Sequence, residues 1–199
     1  SAIHVAVKEA RSLFFAELAS FQPFDEQQLS VAEQIRFAWQ TFGAQLYTRE
    51  NPVCHFTTSA WIVNPACTHA LMVYHNIYQS WSWTGGHNDG DPDFQAVARR
   101  EALEETGLSS ISLLCPAPVR WDTLCVPAHR KNGQAVAPHL HLNATYLYSA
   151  EEGQPLSARE GENSAVRWVP IEALPTHCSE PLLLPIYQWL CKQAKLYMK

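Results

Sequence analysis

Three glutamates lie close enough in this sequence to bind one divalent cation. Glu101, Glu104 and Glu105 would lie within an arc of about 100° on a helix, and Phe94 opens the same stripe. A stripe that begins apolar, and therefore faces inward, thus becomes acidic. Such neighbouring carboxylates repel by about 0.2–0.5 kcal/mol even in water, and a bound Mg²⁺ or Mn²⁺ removes this cost. The alternative is a solvated acidic face, with Arg100 paired to Glu104.

The residues around the glutamates predict how the helix is positioned. A Gly-Gly turn at Gly86 comes before it and allows the backbone to approach an ion or a phosphate closely. The helix is predicted to run from Pro92 to about Thr106. Asp91 suits the N-cap position, Pro92 the first helical position, and Gly107 the C′ position.

This stretch resembles the Nudix box, whose pattern is G-x5-E-x7-R-E-U-x-E-E-x-G-U with U apolar. Gly86 is followed at the correct distance by the segment Arg100-Glu101-Ala102-Leu103-Glu104-Glu105-Thr106-Gly107-Leu108. One fixed position differs, because Pro92 stands where the family has its central glutamate. Asp91 and Asp93 flank it and could substitute.

The resemblance implies an α/β fold, a Nudix α/β/α sandwich with a mixed sheet. It also implies a metal-dependent hydrolase that cleaves the diphosphate linkage of a nucleoside diphosphate linked to another group, by attack of water on phosphorus. By position, the Mg²⁺ or Mn²⁺ ligands would be Glu101, Glu104, Glu105 and the carbonyl of Gly86. Arg100 would orient the glutamates or contact phosphate. The general base would be a box glutamate, Glu104 or Glu105, or else Glu162 in a loop before a later strand.

Histidines form a second group of candidate residues. His139 and His141 alternate with apolar residues, so both imidazoles share one face of a strand and could bind a metal or phosphate oxygens. The alternative is ordinary hydrogen-bonded packing. His87 directly follows the Gly-Gly turn. We predict that His87, His139 and His141 bind substrate together with Arg100.

Hydrophobic periodicity predicts the elements that position these residues. Residues 1–50 are predicted to form an N-terminal helical extension, and residues 51–199 the Nudix domain. The two helices of the extension have apolar stripes, Val5, Ala6, Ala10, Leu13, Phe14 and Leu18 in the first, and Leu29, Ala32, Ile35, Trp39 and Phe42 in the second. They would dock on the core or form a homodimer contact. Strands are predicted at Val53–Val63, Ala70–Tyr74, Trp81–Thr84, Ser110–Leu114, Trp121–Val126, Leu140–Tyr148 and Val166–Val169, a loop at Ala128–Pro138, and a last helix at about Leu183–Lys195.

Composition limits the remaining possibilities. The 199 residues are 47% apolar and 17% charged, which is typical of a globular protein. A net charge of −5 offers no basic excess for nucleic acid or an anionic membrane, and apolar runs are too short to cross a bilayer. Six scattered cysteines without a C-x-x-C pair indicate reduced thiols and a cytoplasmic protein. The expected partner is a small nucleotide-like molecule.

Two other functions remain open at this stage. A Nudix-fold nucleotide sensor without turnover would explain Pro92, although the sequence offers no basic DNA-binding module. A diphosphate isomerase of the same fold is disfavoured, since the Gly-Gly turn has no cysteine near it.

Overall fold

The computed structural model describes Lys8, Phe14 and residues 18–199. Its α-helices are α1 (Glu26–Phe42), α2 (Phe94–Thr106), α3 (Leu174–His177) and α4 (Leu184–Tyr197), with 3-10 turns at Gly43–Tyr47 and Ile171–Ala173. Its strands are β1 (Cys54–Val63), β2 (His69–His75), β3 (Ser80–Ser82), β4 (Thr84–His87), β5 (Ser112–Leu113), β6 (Arg120–Val126), β7 (His129–Lys131), β8 (Gln134–Val136), β9 (His139–Ser149) and β10 (Asn163–Pro170). No helix among these residues is long and apolar enough to cross a membrane.

Eight strands form one mixed sheet. The order is β10-β2-β1-β9-β5, with β3 beside β2, β4 beside β1 and β6 beside β9. The amide of Leu140 donates to the carbonyl of Val53, and the amide of Ala150 donates to that of Val63, so β1 and β9 run parallel. The β1–β2, β2–β10 and β6–β9 pairs are antiparallel. The predicted α/β class with a mixed sheet, preceded by a helix, is confirmed.

The chain divides into two compact units. The first contains residues up to 58, 86–97 and 117–145. Phe56 lies at the centre of its core, where it contacts the rings of Phe14, Trp39, Tyr47, Phe94 and Trp121. Helix α1 is held to β6 by the buried side chain of Gln28, which donates to the carbonyl of Trp121 (2.8 Å) and accepts from its amide (3.1 Å). This helix of the extension therefore docks on the core.

The second unit contains residues 59–85, 98–116 and 146–199. Its sheet is built on the long antiparallel pair β2–β10, from Asn163 opposite His75 to Pro170 opposite His69. Helix α4 covers it through Tyr187, whose ring stacks on Trp61 at 4.8 Å between centroids.

The apolar stripe predicted for α1 is wrong at Leu29, which is 54% exposed. The buried face contains Gln28 and Val31 instead, together with the predicted Ala32, Ile35 and Trp39. Two hydrogen bonds to β6 satisfy the side-chain amide of Gln28, so this polar residue can face inward. Hydrophobic periodicity cannot predict this, because the partner lies far away in the sequence. The first predicted helix lies mostly outside the described residues. Two members of its predicted stripe, Phe14 and Leu18, are described, and both are buried.

The start of α2 also differs from the prediction. Asp93, not Asp91, caps the helix, since its carboxylate accepts from the amide of Ala96 at 3.0 Å and α2 begins at Phe94. Asp91 accepts from the amide of Asp93, so both acids beside Pro92 hold the helix start. Gly107 ends the helix with a φ of 74°, as expected for C′.

The segment predicted as a loop at Ala128–Pro138 forms the hairpin β7–β8 instead. Its turn is Asn132-Gly133, both with positive φ (52° and 76°), which is the type I′ signal for a two-residue hairpin. The predicted strand Trp81–Thr84 is interrupted, because β3 ends at Ser82 and β4 begins at Thr84. The Gly-Gly turn predicted after it is wrong, since Gly85 and Gly86 lie within β4.

Candidate active site

The three glutamates of α2 differ sharply in exposure. Glu105 is only 5% exposed, the side chain of Glu101 is 13% exposed, and that of Glu104 is 44% exposed. The exposed fraction differs because the three side chains leave the helix at different angles, so that Glu105 lies against the core and Glu104 lies toward solvent. The helix therefore offers carboxylates that range from buried to accessible within one and a half turns.

Glu105 is held by the strand that precedes the helix. Its Oε1 accepts a hydrogen bond from the main-chain amide of Gly85 at 3.0 Å. Burial nevertheless raises the pKa of Glu105 to about 8, and the nearby charge of Glu101 adds to this effect. Burial likewise raises the pKa of Glu101, against the opposing charge of Arg159. A divalent cation would restore both to the carboxylate form, because it favours the charged state.

Arg159 gathers the remaining carboxylates around one guanidinium nitrogen. Its Nη1 lies 3.2 Å from Glu101, 3.0 Å from Glu104 and 3.6 Å from Glu162. The structure thus brings the predicted loop acid Glu162 to the acids of α2. We call Glu101, Glu104, Glu105 and Glu162 the acidic cluster.

The loop that carries Arg159 and Glu162 is fixed to the end of α2. The amide of Ser157 donates to the carbonyl of Thr106 at 2.8 Å. The side chain of Asn163 accepts from the amide of Arg159 at 2.8 Å, and its Nδ2 donates to the carbonyl of Glu105. These hydrogen bonds hold the loop, and with it Glu162, beside the end of α2.

Sequence reasoning missed Arg159 and Gly85. Arg159 is one of fourteen lysines and arginines, and no local pattern marks it as the one that meets α2. Gly85 was part of the predicted Gly-Gly turn, but the predicted ligand was its neighbour Gly86, whose role remains a prediction. Arg100 is exposed on α2, and its charge lowers the pKa of Glu101. Its role toward phosphate also remains a prediction.

The predicted histidines meet elsewhere, in the first unit. His87, His139 and His141 lie together with His55, which was not among the predicted site residues. Ring centroids are 4.9 Å apart for His55 and His139, and 4.8 Å apart for His87 and His141. Their assignment to substrate binding remains a prediction.

The fold and the acidic helix define the class of protein, an α/β protein with a mixed sheet and a cluster of carboxylates at one helix. The NUDIX domain model matches residues 55–190, and the chain belongs to the Nudix family. It is a pyrophosphohydrolase of the general Nudix kind, which acts on acid anhydrides, and members of this family generally use divalent metal ions.

Solved structures agree on the fold. The chain is similar to a Nudix family hydrolase from Clostridium perfringens, with 21% identity and a TM-score of 0.55, over 70% of this chain and 97% of that one. It is also similar to the dihydroneopterin triphosphate pyrophosphohydrolase of E. coli, with 13% identity and a TM-score of 0.51, over 69% and 92% of the two chains. No curated protein matches the sequence at a significant level.

Proposed function

We propose that this protein hydrolyses the diphosphate linkage of a nucleoside diphosphate joined to another group, with Mg²⁺ or Mn²⁺ held by the acidic cluster. The observation that carries the proposal is the convergence of four carboxylates, three from α2 and one from the loop between β9 and β10. Three of them lie within 3.6 Å of one cationic nitrogen. Such an excess of oxygen donors over cations is the environment that hard divalent ions prefer.

The donors fit this cation in number and kind. Glu101, Glu104 and Glu105 supply carboxylate oxygens from one helix face, and Gly86 adds a carbonyl in the predicted ligand set. When bound, the cation would neutralise diphosphate charge and lower the pKa of water. Glu105 would bind the cation as a carboxylate, and because burial raises the pKa of this residue to about 8, cation binding near neutral pH would release its proton.

We assign the general base to Glu162 in preference to the box glutamates. A base has to accept a proton from water and pass it to solvent. Glu105 is nearly inaccessible, whereas the side chain of Glu162 is 54% exposed and lies on a loop rather than on the ligand face of α2. Glu104, 44% exposed, is the alternative base.

Arg159 would position these groups. Its guanidinium contacts Glu101, Glu104 and Glu162 at once, so it sets the distance between the helix acids and the loop acid. The same guanidinium, and Arg100 on the exposed side of α2, would supply positive charge to a diphosphate.

Phosphate or nucleotide release from a panel of diphosphate-linked substrates, with and without Mg²⁺, tests the proposal. Wild type should turn over a member of the panel only with the cation. Glu104→Gln should lower turnover and raise the Mg²⁺ concentration needed for the half-maximal rate. Glu162→Gln should lower kcat by about 10²–10⁴-fold at unchanged Mg²⁺ affinity. Glu160→Gln, an exposed glutamate of the same loop, is the matched control and should keep wild-type rates.

A sensor that binds nucleotide without turnover is the second candidate, because Pro92 replaces the box glutamate. The local structure weakens this alternative. Asp93 and Asp91 secure the start of α2, so the helix does not depend on an acid at position 92. Nucleotide binding without any turnover across the panel would reverse this ranking, and the diphosphate isomerase remains the less favoured third.

A further inference from the structure

Four imidazoles cover one face of the sheet in the first unit. His55 lies on β1, His87 on β4, and His139 and His141 on β9. On the same face, Thr57 donates to the side chain of Asn143 at 2.8 Å, which fixes the side-by-side register of β1 and β9. The opposite face, with Phe56, forms the aromatic core. We call His55, His139 and His141 the histidine triad, with His87 beside it.

Hydrogen bonds orient two of the triad rings. Nδ1 of His55 lies 3.0 Å from the carbonyl oxygen of Asn51, and Nδ1 of His139 lies 2.8 Å from that of Ala137. A carbonyl only accepts, so each Nδ1 carries the proton and each Nε2 presents its lone pair. Histidines that ligate metals are oriented in this way by a carbonyl or carboxylate behind the ring.

One nitrogen of the triad has no hydrogen-bond partner among the described residues, and two others lie opposite each other. Nε2 of His55 is buried and has no hydrogen-bond partner within the described structure, although the residue is only 4% exposed. Nε2 of His139 lies 3.3 Å from Nε2 of His141. A buried nitrogen lone pair without a partner is costly, and a bound cation would satisfy it.

The distances suit a transition-metal ion. Two nitrogens bound to tetrahedral Zn²⁺ at about 2.0–2.1 Å lie about 3.3 Å apart, which is the observed His139–His141 separation. All three ligand nitrogens lie within 4.8 Å of one another, so the remaining ring has to move inward by roughly 1.5 Å. Imidazole donors favour Zn²⁺ and its transition-metal neighbours over Mg²⁺.

We propose that His55, His139 and His141 bind one zinc-class transition-metal ion, at a site that shares no residue with the acidic cluster. His87 is the available fourth ring, with its centroid 4.8 Å from His141 and 5.2 Å from His55. Cys125 of β6 is not a thiolate ligand of this site. It pairs with Leu140 of β9, and paired residues share one face of the sheet, which is here the face opposite His139 and His141.

The surroundings are compatible with a neutral ligand set. Burial lowers the pKa of His87 to about 3 and that of His141 to about 2, so both rings are uncharged at neutral pH. The charge of Arg49, which lowers the pKa of His55, His87 and His141, is balanced by Asp89, with which Arg49 forms two hydrogen bonds of 2.7 and 2.8 Å.

Zinc titration of the metal-stripped full chain, in excess Mg²⁺ to saturate the carboxylates, tests the proposal. A competing chromogenic chelator reports the affinity. We expect one Zn²⁺ per chain, bound more than about 100-fold more weakly in the double variant His139→Gln/His141→Gln. His69→Gln, which removes a histidine outside the triad, and Glu104→Gln should both bind zinc as wild type does.

Two results would overturn the site, namely no zinc binding by wild type, or binding lost in Glu104→Gln and retained in the double variant. X-ray absorption at the zinc edge of the wild type does not depend on the variants folding. It should show at least three imidazole nitrogens, and a shell of oxygens or sulfurs alone would refute the assignment. Glu104→Gln also distinguishes a failure of the zinc site from a failure of the proposed hydrolase activity. We expect this variant to bind zinc as wild type does, whatever its rate of turnover.

Discussion

Glu105→Gln should remove a large pH dependence from the stability of the metal-free protein. The folded state raises the pKa of Glu105 to about 8, whereas the ordinary value is 4.5. Between these two values the folded state keeps a proton that the unfolded state has released. The free energy of unfolding therefore falls as pH rises from about 4.5 to about 8. Glutamine keeps an oxygen for the Gly85 amide but does not ionise in this range.

The structure sets the size of this effect. A shift of about 3.5 units at 1.36 kcal/mol each corresponds to at most about 5 kcal/mol between pH 4.5 and 9. The pKa of about 8 already includes the charge of Arg159, and relaxation of the loop would reduce the number further. Four buried thiols also have raised pKa values, and their ionisation in the unfolded state lowers stability above about pH 8.5. Both proteins share this term, so the difference between them isolates Glu105.

Urea unfolding in EDTA at pH 5, 7 and 9 provides the measurement. Wild type should lose several kcal/mol more than Glu105→Gln over this range, and the exposed control Glu160→Gln should follow wild type. Added Mg²⁺ should stabilise wild type more at pH 9 than at pH 5, because binding then requires no proton release. Parallel pH profiles for wild type and Glu105→Gln would refute the conclusion that burial controls this carboxyl.

Two further substitutions test the supports of the site and of the core. Gly107→Ala should destabilise the protein by more than about 2 kcal/mol, because its φ is 74° and a Cβ would lie 2.8 Å from the main-chain nitrogen of Ser157. Thermal unfolding measures this loss, and a stability equal to wild type would show that the loop is free to move away from α2. Gln28→Leu should cost about 2–4 kcal/mol, since it leaves two buried main-chain groups of Trp121 unpaired. Urea unfolding beside the exposed control Gln27→Leu checks this value, and equal losses in both variants would contradict it.

The site helix was predictable because its information is local. Phe94, Glu101 and Glu105 lie on one helical stripe whatever the rest of the chain does, and Gly107 ends the helix through its own backbone preference. The alternation of β1 and β9 was readable for the same reason, because side chains alternate faces on any strand. Local spacing therefore predicted the strands and the acidic helix, and the resemblance of that helix to the Nudix box implied the α/β class.

Only the tertiary structure decided which distant residues meet. His55 meets His139 because β1 and β9 pair in parallel, and Arg159 meets Glu101 because its loop is bonded to the end of α2. Gln28 faces inward because β6 offers it unpaired main-chain groups. Strand order and loop docking depend on the apolar area that many residues bury together. The local periodicity of a sequence does not reveal this total, so it cannot predict which distant residues meet. The spacing of the acids alone predicted their chemistry, whereas the position of Arg159 beside them and the grouping of the histidine triad depend on the tertiary structure.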